Sequence, residues 1–240
     1  SGDTTSSLTV DTATTIATYK LDGDANDLSG NYNGTATAIT YGTGKFGQAG
    51  VFNGSSSGIT LPNTVTSSIV NQTSVSLWIK CSIPTSTVCV FNSRYSNVTH
   101  GMYVNTSGKL VSSNFNTNGD IASTGSSVAT NSWVHIVFVY NNPDWKYYVN
   151  TVLDSSLNRT FTAFSQTISP GNTIGKFDIE NAFFTGSMDQ VRIFNRALTS
   201  TEVTSVYNET GTKYSADITS FGLTTPPTKA FFNKTIDTTL

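Results

Sequence analysis

Apolar and polar positions alternate along much of this chain, and the clearest case is Trp133 to Tyr140. Trp133, His135, Val137 and Val139 fall on one face of an extended segment, and Val134, Ile136, Phe138 and Tyr140 on the other. Both faces are largely apolar, which predicts a central strand covered on both sides. Similar stretches predict strands over Thr15 to Leu21, Ser74 to Lys80, Val88 to Arg94, Gly101 to Val104 and Lys109 to Phe115. Between the first two, Phe46, Val51, Phe52, Ile59 and Leu61 form short apolar pieces separated by glycines. Asp178 to Thr185 reads as a loop.

The period changes once, between Gly186 and Val206, in GSMDQVRIFNRALTSTEVTSV. Its first half alternates, with Met188, Gln190, Arg192 and Phe194 on one side and Ser187, Asp189, Val191 and Ile193 on the other. In the second half Leu198, Val203, Val206 and Tyr207 come together only on a helix, and Thr199 with Glu202 three residues later makes a capping box. The expectation is an all-β chain closed by one short helix. Ser1 to Thr14 is polar and Thr-rich, and reads as an arm or linker before a domain spanning 15–209. The segment 210–240 is polar except around Phe231 and Phe232, and reads as a C-terminal extension or arm.

Composition narrows the function. Of the 240 residues only 12% are charged and the net charge is -2, so no basic cluster can make the phosphate contacts on which nucleic-acid affinity depends. No apolar run is long enough to insert in a membrane. A surface of hydroxyls and amides suits an extracellular setting. Cys81 and Cys89 flank a turn-like Ile83-Pro84-Thr85-Ser86 and would face each other across a hairpin, either bridged or as two half-buried thiols. Eight Asn-x-Ser/Thr sequons are near what so much Asn and Thr gives by chance, so they identify no glycosylating host.

Four blocks in order carry a family resemblance: YKLDGDANDLSGNYNGT, GKFGQAGVFNGSSSGITLP, SVSLWIK and GSMDQVRIFNRALTSTEV. Together, over roughly Tyr19 to Glu209, they resemble laminin G-like, concanavalin A-like lectin/glucanase domains, whose TIGxF strand Gly171 to Phe177 also matches, and the stretches NGTATAITYGTGKFGQAGVFNGSSS and MDQVRIFNRALTSTEVTSVYNE resemble sequences of marine phage fibre and appendage proteins. The resemblance implies a jelly-roll sandwich of two antiparallel sheets with a short C-terminal helix. It further implies a non-catalytic carbohydrate-binding or adhesion module on a virion or extracellular surface, with a glycan or cell-surface polysaccharide as partner. The alternative is a structural virion or filament subunit whose terminal arms bind other subunits. Trp145 to Leu153 resembles the family's LYVNGxLV strand and turn, but Thr151 stands where glycine is usual, which predicts a turn longer than two residues.

Three chemistries can be weighed. The resemblance implies a structural calcium held by Asp189 with Asp22 or Asp27, completed by carbonyl oxygens or waters, since Ca²⁺ takes 6–8 oxygen ligands; otherwise Asp189 pairs with Arg192 or Arg196 or caps a turn. Endoglycanases of this architecture need two glutamates on an E-x-D-x-E strand, but this chain has only Glu180, Glu202 and Glu209, in no such pattern. Asp178 and Glu180 are the nearest approach to an acid/base pair, and no GxSxG, HExxH or phosphate loop occurs, so no catalytic residue is assigned. Sugar binding would use aromatic faces beside amides: Tyr32, Tyr95, Trp145 and Phe183 with Asn97 and Asn181, and Tyr41 and Asn33 nearby. His135 and His100 read as structural.

Overall fold

The period-two segments pair into two antiparallel sheets in the computed structural model, which describes residues 15–67, 72–95, 98–113, 120–158, 172–177 and 181–212. In chain order the early strands are β1 (Thr15–Tyr19), β2 (Thr35–Thr37), β3 (Thr40–Thr43), β4 (Gln48–Asn53), β5 (Gly58–Leu61) and β6 (Gln72–Lys80), with the one-turn helix α1 (Thr64–Ser67) before β6. Then come β7 (Val88–Tyr95), β8 (Val98–Val104), β9 (Lys109–Ser113), β10 (Asp120–Ser127), β11 (Val134–Asn141), β12 (Asp144–Val149) and β13 (Val152–Asn158). The last are β14 (Asn172–Ile174), β15 (Lys176–Phe177), β16 (Ala182–Phe183) and β17 (Thr185–Phe194), followed by helix α2 (Ser200–Thr212).

The first sheet runs β13-β12-β11-β6-β17-β4-β3, with β1 also paired to β17; the second runs β10-β9-β8-β7-β14-β5-β2. Between them lies the main core, with Val75, Leu77 and Ile79 of β6 and Ile136, Phe138 and Tyr140 of β11 facing Val90, Phe91, Met102, Val104 and Leu110 of the second sheet. β11 is central and buried on both faces, as its sequence predicts. Its other face, Val137 and Val139, joins Tyr148 and Phe194 under Leu198, Val203 and Val206, so α2 covers the outside of the first sheet. The β15-β16 ribbon covers the outside of the second, placing Phe177 and Ala182 on Cys89, Tyr103 and Val111. This is the predicted jelly-roll sandwich with one short C-terminal helix of regular length.

Four expectations change. β6 and β7 belong to different sheets, so no hairpin brings Cys81 and Cys89 face to face; Cys81 lies in the main core and Cys89 outside the second sheet. The turn between β12 and β13 is a tight two-residue one, with Val149 opposite Val152 and positive φ at Asn150 (46°) and Thr151 (75°). It survives without glycine because Asn150 is held on both sides by β11: its amide donates to the His135 carbonyl (2.9 Å) and its Oδ1 accepts from the His135 amide (3.0 Å). The helix runs three residues past the expected domain end, to Thr212. Within 178–185, Ala182–Phe183 forms β16 rather than loop. Of the proposed arms 1–14 and 210–240, only 210–212, the end of the helix, lies within the described residues.

A candidate cation site where the first and last strands meet

β17 does not keep the strict alternation that its sequence suggests. Gln190 has φ 52°, and the pairing with β6 shifts register between Asp189 and Arg192. This is a β-bulge, one extra residue in the strand. Met188, Val191 and Ile193 therefore all face the main core, while Asp189 lies opposite Trp78 on the outer side. The bulge falls where the neighbour on one side of β17 changes: β4 pairs as far as Met188, and β1 takes over from Val191.

Two other segments enter this gap. Leu21, fully buried with φ 61°, turns the chain sharply out of β1, and Asp22 follows. The loop 44–47 leads into β4 and is fastened by both carboxylates. The Phe46 amide donates to Asp189 Oδ2 at 2.9 Å, and the Gln48 amide to Asp22 Oδ1 at 2.7 Å. Only glycines let the backbone come so close: a Cβ on Gly44 would lie 2.7 Å from Asp189 Oδ2, and one on Gly47, at φ 58°, would lie 2.5 Å from Asp22 Oδ1.

Electrostatically the gap is in deficit of positive charge. Asp189 is fully buried, and its Oδ1 has no hydrogen-bond partner. Burial raises its pKa from 3.8 to about 7; the Asp22 carboxylate adds to the rise, and the amides of Phe46 and Lys45 and the Gln190 side chain oppose it. Neither Arg192 nor Arg196 pairs with it among the described residues, and Arg196 instead binds Glu202 at 2.8 Å. Two carboxylates with one orphaned buried oxygen suit a hard cation, with carbonyls and water completing the shell. No group of three or more His, Cys, Asp or Glu side chains that could hold a metal occurs among the described residues.

Asp27 does not belong to this site. Its carboxylate turns into its own loop, accepting from the Thr18 amide (2.8 Å), the Tyr32 amide (3.3 Å) and the Ser29 hydroxyl, while its own amide donates to Asn33 Oδ1. It closes the 19–34 loop, and Asp22 is the N-terminal carboxylate that faces Asp189.

On sequence, the family model for the concanavalin A-like lectin/glucanases superfamily, Laminin_G_3, matches residues 53–204. The chain belongs to this family. Among solved structures, this lectin/glucanase-family chain is similar to domain 4 of AbnA, an extracellular GH43 arabinanase of Geobacillus stearothermophilus in complex with arabinotriose, at 31% identity and TM-score 0.66. That match covers 81% of this chain and 98% of the other. The Trypanosoma rangeli sialidase (13% identity, TM-score 0.67, 85% of this chain and 34% of that one) shares the fold. So does the receptor binding domain of a botulinum neurotoxin C/D mosaic serotype (17% identity, TM-score 0.62, 82% and 51%). Among curated proteins, no match is found.

The aromatic and amide residues proposed for sugar binding are scattered over the family fold. Trp145, 1% exposed, packs against Phe138 and Tyr140 in the core and offers no face to a ligand. Tyr32 is half-buried in the 19–34 loop, where its carbonyl accepts from the Tyr19 hydroxyl. Asn181 is exposed at the turn of the β15-β16 ribbon, and half-buried Phe183 lies two residues on. The Tyr95 side chain and Asn97 lie outside the described residues, as do Asp178, Glu180 and the side chain of His100. The parts missed in the sequence are the bulge at Gln190 and the amides of 44–48; the glycine pair in GTGKFG was the signal available for the latter.

Proposed function

We propose that this chain is a non-catalytic carbohydrate-binding module that uses a structural calcium to join its first and last strands. The observation that carries the glycan half is the 31% identity, across 81% of the chain, to a domain solved with arabinotriose. An arabinose-containing oligosaccharide is accordingly the first ligand to test. The absence of an E-x-D-x-E strand, with Glu202 committed to the start of α2, supports a binding rather than a hydrolytic role. The calcium half is supported by the orphaned Asp189 oxygen and the facing Asp22. Calcium there would neutralise the pair and draw in the oxygen atoms around it. The charge-poor, hydroxyl-rich composition and the fibre-like sequence blocks support a place on a virion or other extracellular surface.

The test is calorimetric titration with arabinotriose and a glycan array, each with calcium and with chelator, beside thermal unfolding. Binding of a saccharide class is expected, and calcium at a hundred times its Kd should stabilise the fold by about 2.7 kcal/mol. Asp189→Asn should abolish that calcium gain. Asp27→Asn should keep it while lowering basal stability by about 1–3 kcal/mol, because the amide keeps an oxygen for the Thr18 amide but sets an NH2 donor against the Tyr32 amide. No saccharide binding on the array or by calorimetry removes the glycan reading, and an unfolding midpoint indifferent to calcium removes the metal.

A further inference from the structure

The loop that meets the two carboxylates also touches an aromatic stack leading to the C-terminal helix. Lys45 Nζ lies 4.6 Å from the centre of the Trp78 ring, and Phe46 meets the same indole edge-on at 5.9 Å. Behind it, Trp78 packs on His135 and on Tyr207 of α2, each with ring centres 5.1 Å away, and His135 meets Tyr207 at 5.5 Å. Trp78 is 3% exposed, whereas Lys45 is exposed and Phe46 half-buried. Thus a surface loop, one buried indole and the last turns of a helix form one continuous set of contacts, and Asp189 is the direct strand neighbour of that indole.

Nearer its N-terminus the helix is secured independently of the loop. The capping box holds Thr199 to Glu202, and Ser74 Oγ accepts from the Leu198 amide at 3.0 Å and donates to the Arg196 carbonyl at 2.9 Å. Toward Tyr207 the ring stack takes over from these hydrogen bonds. Fixing the loop should therefore act on one end of α2 and not on the other.

We infer that a divalent cation at Asp22 and Asp189 and the docking of the Tyr207 end of α2 are energetically coupled through Trp78. This deepens the calcium reading and rests on it. Cation binding holds the carboxylates and the 44–48 amides in one arrangement, which fixes the Lys45 ammonium and the Phe46 ring on the indole and the indole on Tyr207. Coupling of this kind is reciprocal, so loosening the helix end weakens cation affinity by the same factor.

The experiment is hydrogen exchange on the full chain, with CaCl₂ and with EDTA, alongside calorimetric titration of CaCl₂. In the unaltered protein calcium should slow exchange of the 203–208 amides about tenfold, and change the 199–202 amides much less. Tyr207→Ala should still bind calcium, more weakly, while its remaining helix amides gain nothing from it. Trp78→Phe, which keeps a ring at the centre, should retain part of the gain. Calcium binding by calorimetry with protection confined to 44–48 would overturn the coupling and leave the metal site standing. A helix gain undiminished in Tyr207→Ala would overturn the aromatic route, and no heat or stabilisation with CaCl₂ would remove the cation site and the coupling together.

Discussion

His135 illustrates how much a single buried ring can set. It is 1% exposed, its Nε2 lies 2.8 Å from Ser76 Oγ, and its Nδ1 has no partner. Burial, reinforced by the positive charge of Arg192, lowers its pKa from 6.5 to about 3. The folded form thus keeps the ring neutral where the unfolded chain would protonate it. Its stabilising contribution is complete above pH 6.5 and declines as the pH falls toward 3, by up to about 1.4 kcal/mol per pH unit. Urea unfolding between pH 6.5 and 4 should show a shallower acid decline in His135→Gln than in the unaltered protein. The residue's structural role was legible, because a histidine in an apolar face has few other uses. Trp145 was misread because an aromatic beside a polar loop has the same sequence signature whether it turns in or out; the rings of Phe138 and Tyr140 turn it in.

Among the elements, α2 follows its sequence most closely. The Thr199 amide donates to Glu202 Oε2 at 2.8 Å and the Glu202 amide to Thr199 Oγ1 at 3.3 Å, the reciprocal pattern that the spacing predicts. Arg196 adds an ion pair that holds the Glu202 carboxyl below its ordinary pKa. Thr199→Ala should lower stability by about 0.5–2 kcal/mol, read by chemical denaturation, and leave calcium binding in place. Longer strands with an apolar face, such as β6, β7, β11 and β17, were legible, whereas the short β2 and β3 and the polar β10 were not. The β12-β13 turn and the bulge in β17 were not, because both depend on a neighbouring strand: Asn150 is fastened by β11, and Gln190 stands where β4 gives way to β1. Local pattern carries no record of either neighbour. The same holds for Cys81 and Cys89, whose separation follows from the chain crossing between sheets.

At the scale of the whole molecule, the two sheets, the ribbon and α2 cover one another through three clusters of described residues. Trimming the chain to 15–212 should leave a folded monomer that still binds saccharide and calcium, measured by calorimetry and sedimentation. Loss of an assembly on trimming would favour the structural-subunit reading instead. The family was legible because four separate blocks lay in order. Of the three carboxylates named for calcium, Asp22 and Asp189 meet the same loop 44–48, whereas the Asp27 carboxylate turns into its own loop, a direction that its neighbours in sequence hide. The junction holding the candidate cation site draws on residues 22, 44–48 and 189, and the Phe46 to Asp189 hydrogen bond spans 143 positions. During synthesis, therefore, most of the sandwich's strands exist before the site can. A growing chain has no complete place for the proposed ion until its closing strand emerges, so a cation bound there would act as a seal on a finished fold rather than as a seed for it.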